Sequence, residues 1–120
     1  GQVQEAMSYL KRVPEGDPLY ETAARVQRLS SLSESVGDEG SLRAEIEANN
    51  SVEAWYKLGA TLALMGRFEE ACDALLKVVM IDRSYRDDAG RVALLMIFDA
   101  LGGEGEVVQR ARHRLASLLF

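Results

Sequence analysis

The side chains that could carry chemistry are few. The chain has one cysteine, Cys72, and one histidine, His113. A redox or nucleophilic cysteine needs an accessible site that stabilises its thiolate. Cys72 instead follows Ala71 inside a helical pattern and reads as a small, half-buried helix residue. A zinc-type site needs three or four converging ligands. His113 has no histidine or cysteine near it in sequence and reads as a surface residue. Asp82, Asp87 and Asp88 lie close together but lack the alternating ligands and central glycine of a calcium loop. Asp87 or Asp88 is expected to cap the helix that follows. Gly102-Gly103-Glu104-Gly105 is glycine-rich, but no Lys-Ser/Thr follows as in a phosphate loop; it reads as a turn between helices. One histidine cannot supply a Ser–His–Asp set, and the paired carboxylates fall on polar helix faces where solvation explains them. The sequence therefore predicts no catalytic residue, no cofactor and no metal.

The elements that hold these residues follow from composition and period. At 120 residues and 13.2 kDa, the chain suits one domain, which would bury roughly 65% of its unfolded surface. Hydrophobic residues make up 48% and charged residues 28%, a globular composition. The formal charge is −5 and the pI about 4.9, so a phosphate backbone would be repelled and no nucleic-acid partner is expected. The longest apolar run, 92–98, has seven residues, too few to span a membrane. No charged segment leads into an apolar signal-like stretch. A single cysteine fits a reducing compartment, and a cytoplasmic location is expected.

Apolar residues recur at three and four. Leu19, Ala23, Val26, Leu29, Leu32 and Val36 do so, as do Val108, Ala111, Leu115 and Leu118. This is the period of a helix with one buried face. Breaks divide the chain into seven expected helices. They fall at Pro14-Glu15-Gly16-Asp17-Pro18, Gly37-Asp38-Glu39-Gly40-Ser41, Asn49-Asn50-Ser51, Gly66, 82–85 and Gly102-Gly103. Ser41 and Ser51 are expected N-caps, and Gly66 suits the position just past a helix C-terminus. Such short connections predict antiparallel neighbours.

The most informative window is 52–85, 34 residues long. It reads Trp55-x2-Leu58-Gly59-x2-Leu62, then Gly66, Phe68, Ala71-x3-Leu75 and Asp82-Arg83. It resembles the tetratricopeptide repeat in order and spacing, departing at Leu62, where an aromatic is usual, and Arg83, where proline is usual. Gly59 and Ala71 are small enough for two helices to approach closely. Trp55, Leu58 and Leu62 face the partner helix, and Phe68 packs just past the Gly66 turn. One such hairpin cannot cover its own apolar face, so neighbours must stack on it.

The expected architecture is all-α: one domain over 1–120, a right-handed superhelix of antiparallel helix hairpins. Ala6-x3-Leu10 precedes Pro18 as Ala71-x3-Leu75 precedes Arg83, so 2–13 is expected to be the second helix of a truncated repeat. Residues 18–50 form a degenerate repeat, 52–85 the best-matching one, and 86–120 a closing helix pair without the small-residue marks. The chain is expected to be a piece of a longer protein.

The segment Gly66-Arg67-Phe68-Glu69-Glu70-Ala71, the run Arg83-Ser84-Tyr85-Arg86-Asp87-Asp88-Ala89, Phe98-x2-Leu101-Gly102 and Arg110-x3-Arg114-Leu115-Ala116-Ser117-Leu118-Leu119-Phe120 extend the likeness. Over 52–120 the chain resembles the C-terminal region of the bacterial thioredoxin-like co-chaperones, the co-chaperonedoxin family. The resemblance implies an N-terminal thioredoxin-like domain, absent from this chain, and a holdase role. Its implied partners are proteins: unfolding clients, the chaperonin and its own thioredoxin-like domain. It also implies that helix 104–120 docks on the chaperonin. No Cys-x2-Cys motif occurs, so redox chemistry is not assigned to these residues.

Two surfaces follow as candidates. The groove positions of the repeat map to Glu53, Tyr56, Lys57, Ala60 and Leu64, and one repeat on to Asp87, Gly90, Arg91, Leu94 and Phe98. Tyr56, Ala60 and Leu94 do not make the Lys/Asn clamp for a peptide carboxylate; a mixed apolar lining suits apolar segments, unless neighbouring helices simply cover it. The second surface is the tail: Arg110 and Arg114 on a basic outer side, with Leu118, Leu119 and Phe120 at the end. It reads either as a docking element or as closure of the core. The alternative function is a generic tetratricopeptide-repeat scaffold or adaptor in an unrelated assembly.

Overall fold

The computed structural model describes residues 29–119. The expected helix 2–13, the Pro14–Pro18 break, Leu19, Ala23 and Val26 of the next periodic run, and Phe120 lie outside the described residues. A 3-10 helix, Leu29–Ser35, is followed by α1 (Glu39–Asn49), α2 (Val52–Leu64), α3 (Phe68–Ile81), α4 (Ala89–Ala100) and α5 (Glu106–Leu119). No strand occurs among the described residues, and the all-α expectation holds.

The first departure is the run that ends at Val36. Its α period gives way to a 3-10 helix, and Val36 is 44% exposed. Four serines in LSSLSES offer side-chain partners that compete with α-helical backbone bonds. At three residues per turn, Leu29 and Leu32 fall on one face; both are buried.

Capping explains the next boundaries. Asp38, not Ser41, caps α1: its backbone is extended and its carboxylate accepts a 2.9 Å hydrogen bond from the Ser41 amide. That bond holds the Asp38 pKa below the ordinary aspartate value. Ser51 caps α2 as expected, accepting from the Ala54 amide at 3.3 Å. Asn50 between them is left-handed (φ 49°) and donates its amide to the Ile46 carbonyl. Gly66 (φ 80°) ends α2. Its amide and that of Arg67 return to the Ala63 and Leu62 carbonyls, the bond pair of a Schellman turn. Gly102 and Gly103 repeat the arrangement onto Asp99 and Phe98 after α4.

The expected aspartate cap of α4 is not formed. Arg86, Asp87 and Asp88 all have positive φ (46°, 56° and 64°), and Asp88 makes no capping hydrogen bond. A capping side chain needs extended backbone; left-handed backbone aims the Asp88 carboxylate elsewhere, 3.8 Å from Arg91. Three consecutive left-handed non-glycine residues are costly. The turn is held by the Tyr85 carbonyl accepting from Ala89 and by the Tyr85 ring packing on Tyr56, centroids 5.7 Å apart.

α2 is the hub. It is buried on nearly every side, which a helix can be only when neighbours surround it. Its partners are the 3-10 helix, α1, α3 and α4. Its closest approach is to α3: a β-carbon on Gly59 would lie 2.7 Å from two side-chain carbons of Leu75 and 3.5 Å from the Ala71 carbonyl oxygen. The small residues therefore sit where the repeat requires them. The closing pair also has such a residue, contrary to expectation: a β-carbon on Gly90 would lie 2.9 Å from Val78. α5 lies alongside α3 more closely than alongside α4.

Candidate protein-binding face

The face of α2 away from α3 meets the 3-10 helix, which packs along α2 and reaches α4. Leu29 is 0% and Leu32 4% exposed. The connection to α1 is pinned by Thr61, whose hydroxyl donates to the Lys57 carbonyl at 2.7 Å and accepts from the Gly37 amide at 3.0 Å. Thr61 is the one buried polar side chain among the described residues, and both of its hydrogen-bonding roles are used.

This packing decides where the predicted groove residues stand. Tyr56, Ala60, Leu94 and Phe98 are buried and line no open groove. Tyr56 is under Tyr85, and the Phe98 ring has the Arg112 guanidinium 5.5 Å from its centre. Gly90 is buried against Val78 and Val79. Glu53 and Lys57 remain outside, paired at 3.0 Å, and Leu64 is half-buried. Asp87 is exposed and Arg91 only partly so. Spacing alone gave no sign that the chain's own Leu29–Ser35 segment covers α2. The cue available in sequence was the pair of leucines three apart, immediately before the Gly37 break.

Of the repeat-signature residues, Leu58, Gly59, Leu62, Ala71 and Leu75 are buried. Trp55 and Phe68 pack on the core from its edge. Trp55 also donates its indole N–H to Asn50 Oδ1 at 2.8 Å, which ties the repeat's tryptophan to the turn before α2.

In the tail, Arg110 bonds Glu69 at 2.8 Å and Glu106 at 2.6 Å, and Arg114 bonds Asp73 at 2.6 Å. Residues 110 and 114 thus form a ladder with 69 and 73, lashing α5 to α3. Leu118 and Leu119 are half-buried against the core. Beside them the C-terminal end of α3 leaves Met80 54% and Ile81 41% exposed. An open recess of about 610 Å³ there is lined by Val79, Met80, Ile81, Asp88 and Leu118 among others. Exposed ion pairs are worth about 0.2–1 kcal/mol. Arg114→Ala should therefore lower the melting temperature by only a few degrees, and less still in 0.5 M salt; thermal scans at two ionic strengths check this.

A second ladder fastens α1. Arg67 donates to Glu39 at 2.7 Å, and Arg43 bonds Glu39 at 2.9 Å. The Arg67 hydrogen bond, then that of Arg43, holds the Glu39 pKa below the ordinary glutamate value.

Cys72 is more deeply buried than expected, 2% exposed. Burial, reinforced by the Asp73 charge, pushes its thiol up to about 12. A neutral thiol is a poor nucleophile. We expect negligible reaction with a disulfide reagent at pH 8 in the native protein and rapid reaction in denaturant. The folded state resists ionisation while the unfolded state ionises near pH 9. This contribution to stability is therefore intact below pH 9 and declines as pH rises from about 9 to about 12; urea midpoints measured across that range check the sign. No group of three or more metal-ligating side chains occurs among the described residues, and none of their helices is long and apolar enough to cross a membrane.

The arrangement offers helix faces, a mixed polar and apolar recess and surface ion pairs, which suit contact with another polypeptide. Comparison with curated proteins and with solved structures returned no match. A tetratricopeptide-repeat family model matches residues 32–120. With the Gly59–Leu75 approach, the Gly66 turn and the stacked helices, that match places the chain in the tetratricopeptide-repeat family, whose fold is a protein-interaction scaffold.

Proposed function

We propose that this chain is the protein-binding region of a thioredoxin-like co-chaperone, which holds unfolding clients and cooperates with the chaperonin. The sequence likeness over 52–120 supports the family. The observation that carries the docking role is the recess at the end of α3, where exposed Met80 and Ile81 meet half-buried Leu118. The ion-pair ladder fixes the last helix on α3 and brings its leucines there. In this reading Arg110 and Arg114 position the helix, while Leu118, Leu119 and Phe120 make the contact. Residues 52–85 and 86–120 act as successive stacked units, with a thioredoxin-like domain upstream and a cytoplasmic location.

The test is a pull-down of the full-length protein, with and without hypochlorite stress, scored for chaperonin. Deleting residues 117–120 should abolish capture and leave the melting temperature within a few degrees of the parent. Undiminished capture by the deletion variant, or none by the parent, contradicts the proposal.

A further inference from the structure

We infer that Met80 is an oxidation site for peroxide-class oxidants, through which the most exposed apolar wall of the recess at the end of α3 is made polar without unfolding the chain. As a thioether, Met80 leaves that wall fit for an apolar partner side chain; as a sulfoxide, it turns such a side chain away. The inference rests on the docking reading of the recess and adds its regulation.

The chain holds four methionines and one cysteine. Met7 lies outside the described residues. Two of the other sulfurs are open to solvent: Met80 is 54% and Met65 48% exposed. Met96 is half-buried and packs on the core. Cys72 is buried, and burial pushes its thiol up to about 12, so the sulfur that would otherwise oxidise first is neutral and covered. A thioether needs no ionisation to react, and its exposure governs its rate. Position then separates Met80 from Met65. Met65 stands in the turn before α3, the length of that helix away. Met80 lines the recess beside Ile81 and Leu118, with Arg83 on the same wall.

The chemistry balances with a peroxide as co-reactant. The Met80 sulfur lone pair attacks one peroxide oxygen; an S–O bond forms and the O–O bond breaks. The sulfur gives up two electrons. The departing hydroxide takes the proton left on the new oxygen and becomes water. The product replaces a flexible apolar side chain with a polar one. At this exposure the sulfoxide oxygen reaches water, and the Arg83 guanidinium lines the recess as a donor, so the folded chain tolerates it. An apolar partner seated there would strip the oxygen of water, and an acceptor left unsatisfied opposes burial. Methionine sulfoxide reductases restore the thioether, so the change is reversible.

The test treats the full-length protein with hydrogen peroxide and maps each sulfur by peptide mass against time. Met80 should oxidise at about the rate of Met65 and about fivefold or more faster than Met96, with Cys72 unmodified. The melting temperature should stay within a few degrees of the untreated protein's. In the chaperonin pull-down, oxidation should weaken capture about fivefold or more, and methionine sulfoxide reductase should restore it. Met80→Leu keeps the apolar bulk without an oxidisable sulfur and should be captured equally before and after peroxide. Equal rates at Met80 and Met96, earlier oxidation of Cys72, unfolding on oxidation, or undiminished capture of the oxidised parent would each overturn the inference. If the untreated parent is not captured, the docking reading fails, and the oxidation site stands or falls on the mass map and the melting temperature.

Discussion

Gly59→Val is expected to destabilise the protein by about 3 kcal/mol, a fall of roughly 12 °C in melting temperature at about 4 °C per kcal/mol. The reason is local and geometric. A single added carbon would lie 2.7 Å from both Cγ and Cδ2 of Leu75, closer than nonbonded carbons approach. Leu75 is fully buried and cannot swing away. Valine adds two further methyl groups and a stiff χ1 in the helix. Leu75→Ala alone should cost about 2–5 kcal/mol through the cavity it leaves. Together the two changes should cost clearly less than their sum, because the valine fills part of that cavity. Additive losses in the double variant would mean that Gly59 and Leu75 do not share this space.

Leu94→Ala distinguishes a structural residue from a surface one. Its placement on the groove side of the repeat predicted a binding residue, and such a residue could be truncated without loss of stability. The fold buries it completely, at 0% exposure. Truncation should then cost about 2–5 kcal/mol, or roughly 8–20 °C in melting temperature, read by thermal circular dichroism. Lys57→Ala on the exposed side of α2 should shift the midpoint by less than 2 °C, as surface substitutions do. An unchanged midpoint for Leu94→Ala would return it to the list of exposed contact residues.

Local chemistry was legible where it depends on a few adjacent residues. Ser51, Gly66 and the Gly102-Gly103 turn behave as their types require. The Gly59 and Ala71 spacing announced a close helix pair, and the structure places Leu75 in that gap. Other features depend on contacts distant in sequence. The expected Ser41 cap moved to Asp38 because the side chain that reaches the free amide belongs three residues earlier. The aspartate cap of α4 failed because the three residues after Tyr85, whose ring packs on Tyr56, have left-handed backbone. Arg110 and Arg114 looked like a free basic face. Their carboxylate partners on α3 lie 41 residues away, and only the Arg110–Glu106 pair is local. The groove stayed open between two readings for the same reason: helical periodicity states which side of a helix is apolar and leaves open which segment covers it.

The close α2–α3 hairpin of the tetratricopeptide repeat ties these observations together, and one measurement addresses it directly. A β-carbon on Gly59 would lie 2.7 Å from the Leu75 side chain, so the Gly59 α-protons should show strong nuclear Overhauser contacts to the Leu75 methyl groups. A folded protein in which those contacts are absent would contradict the hairpin.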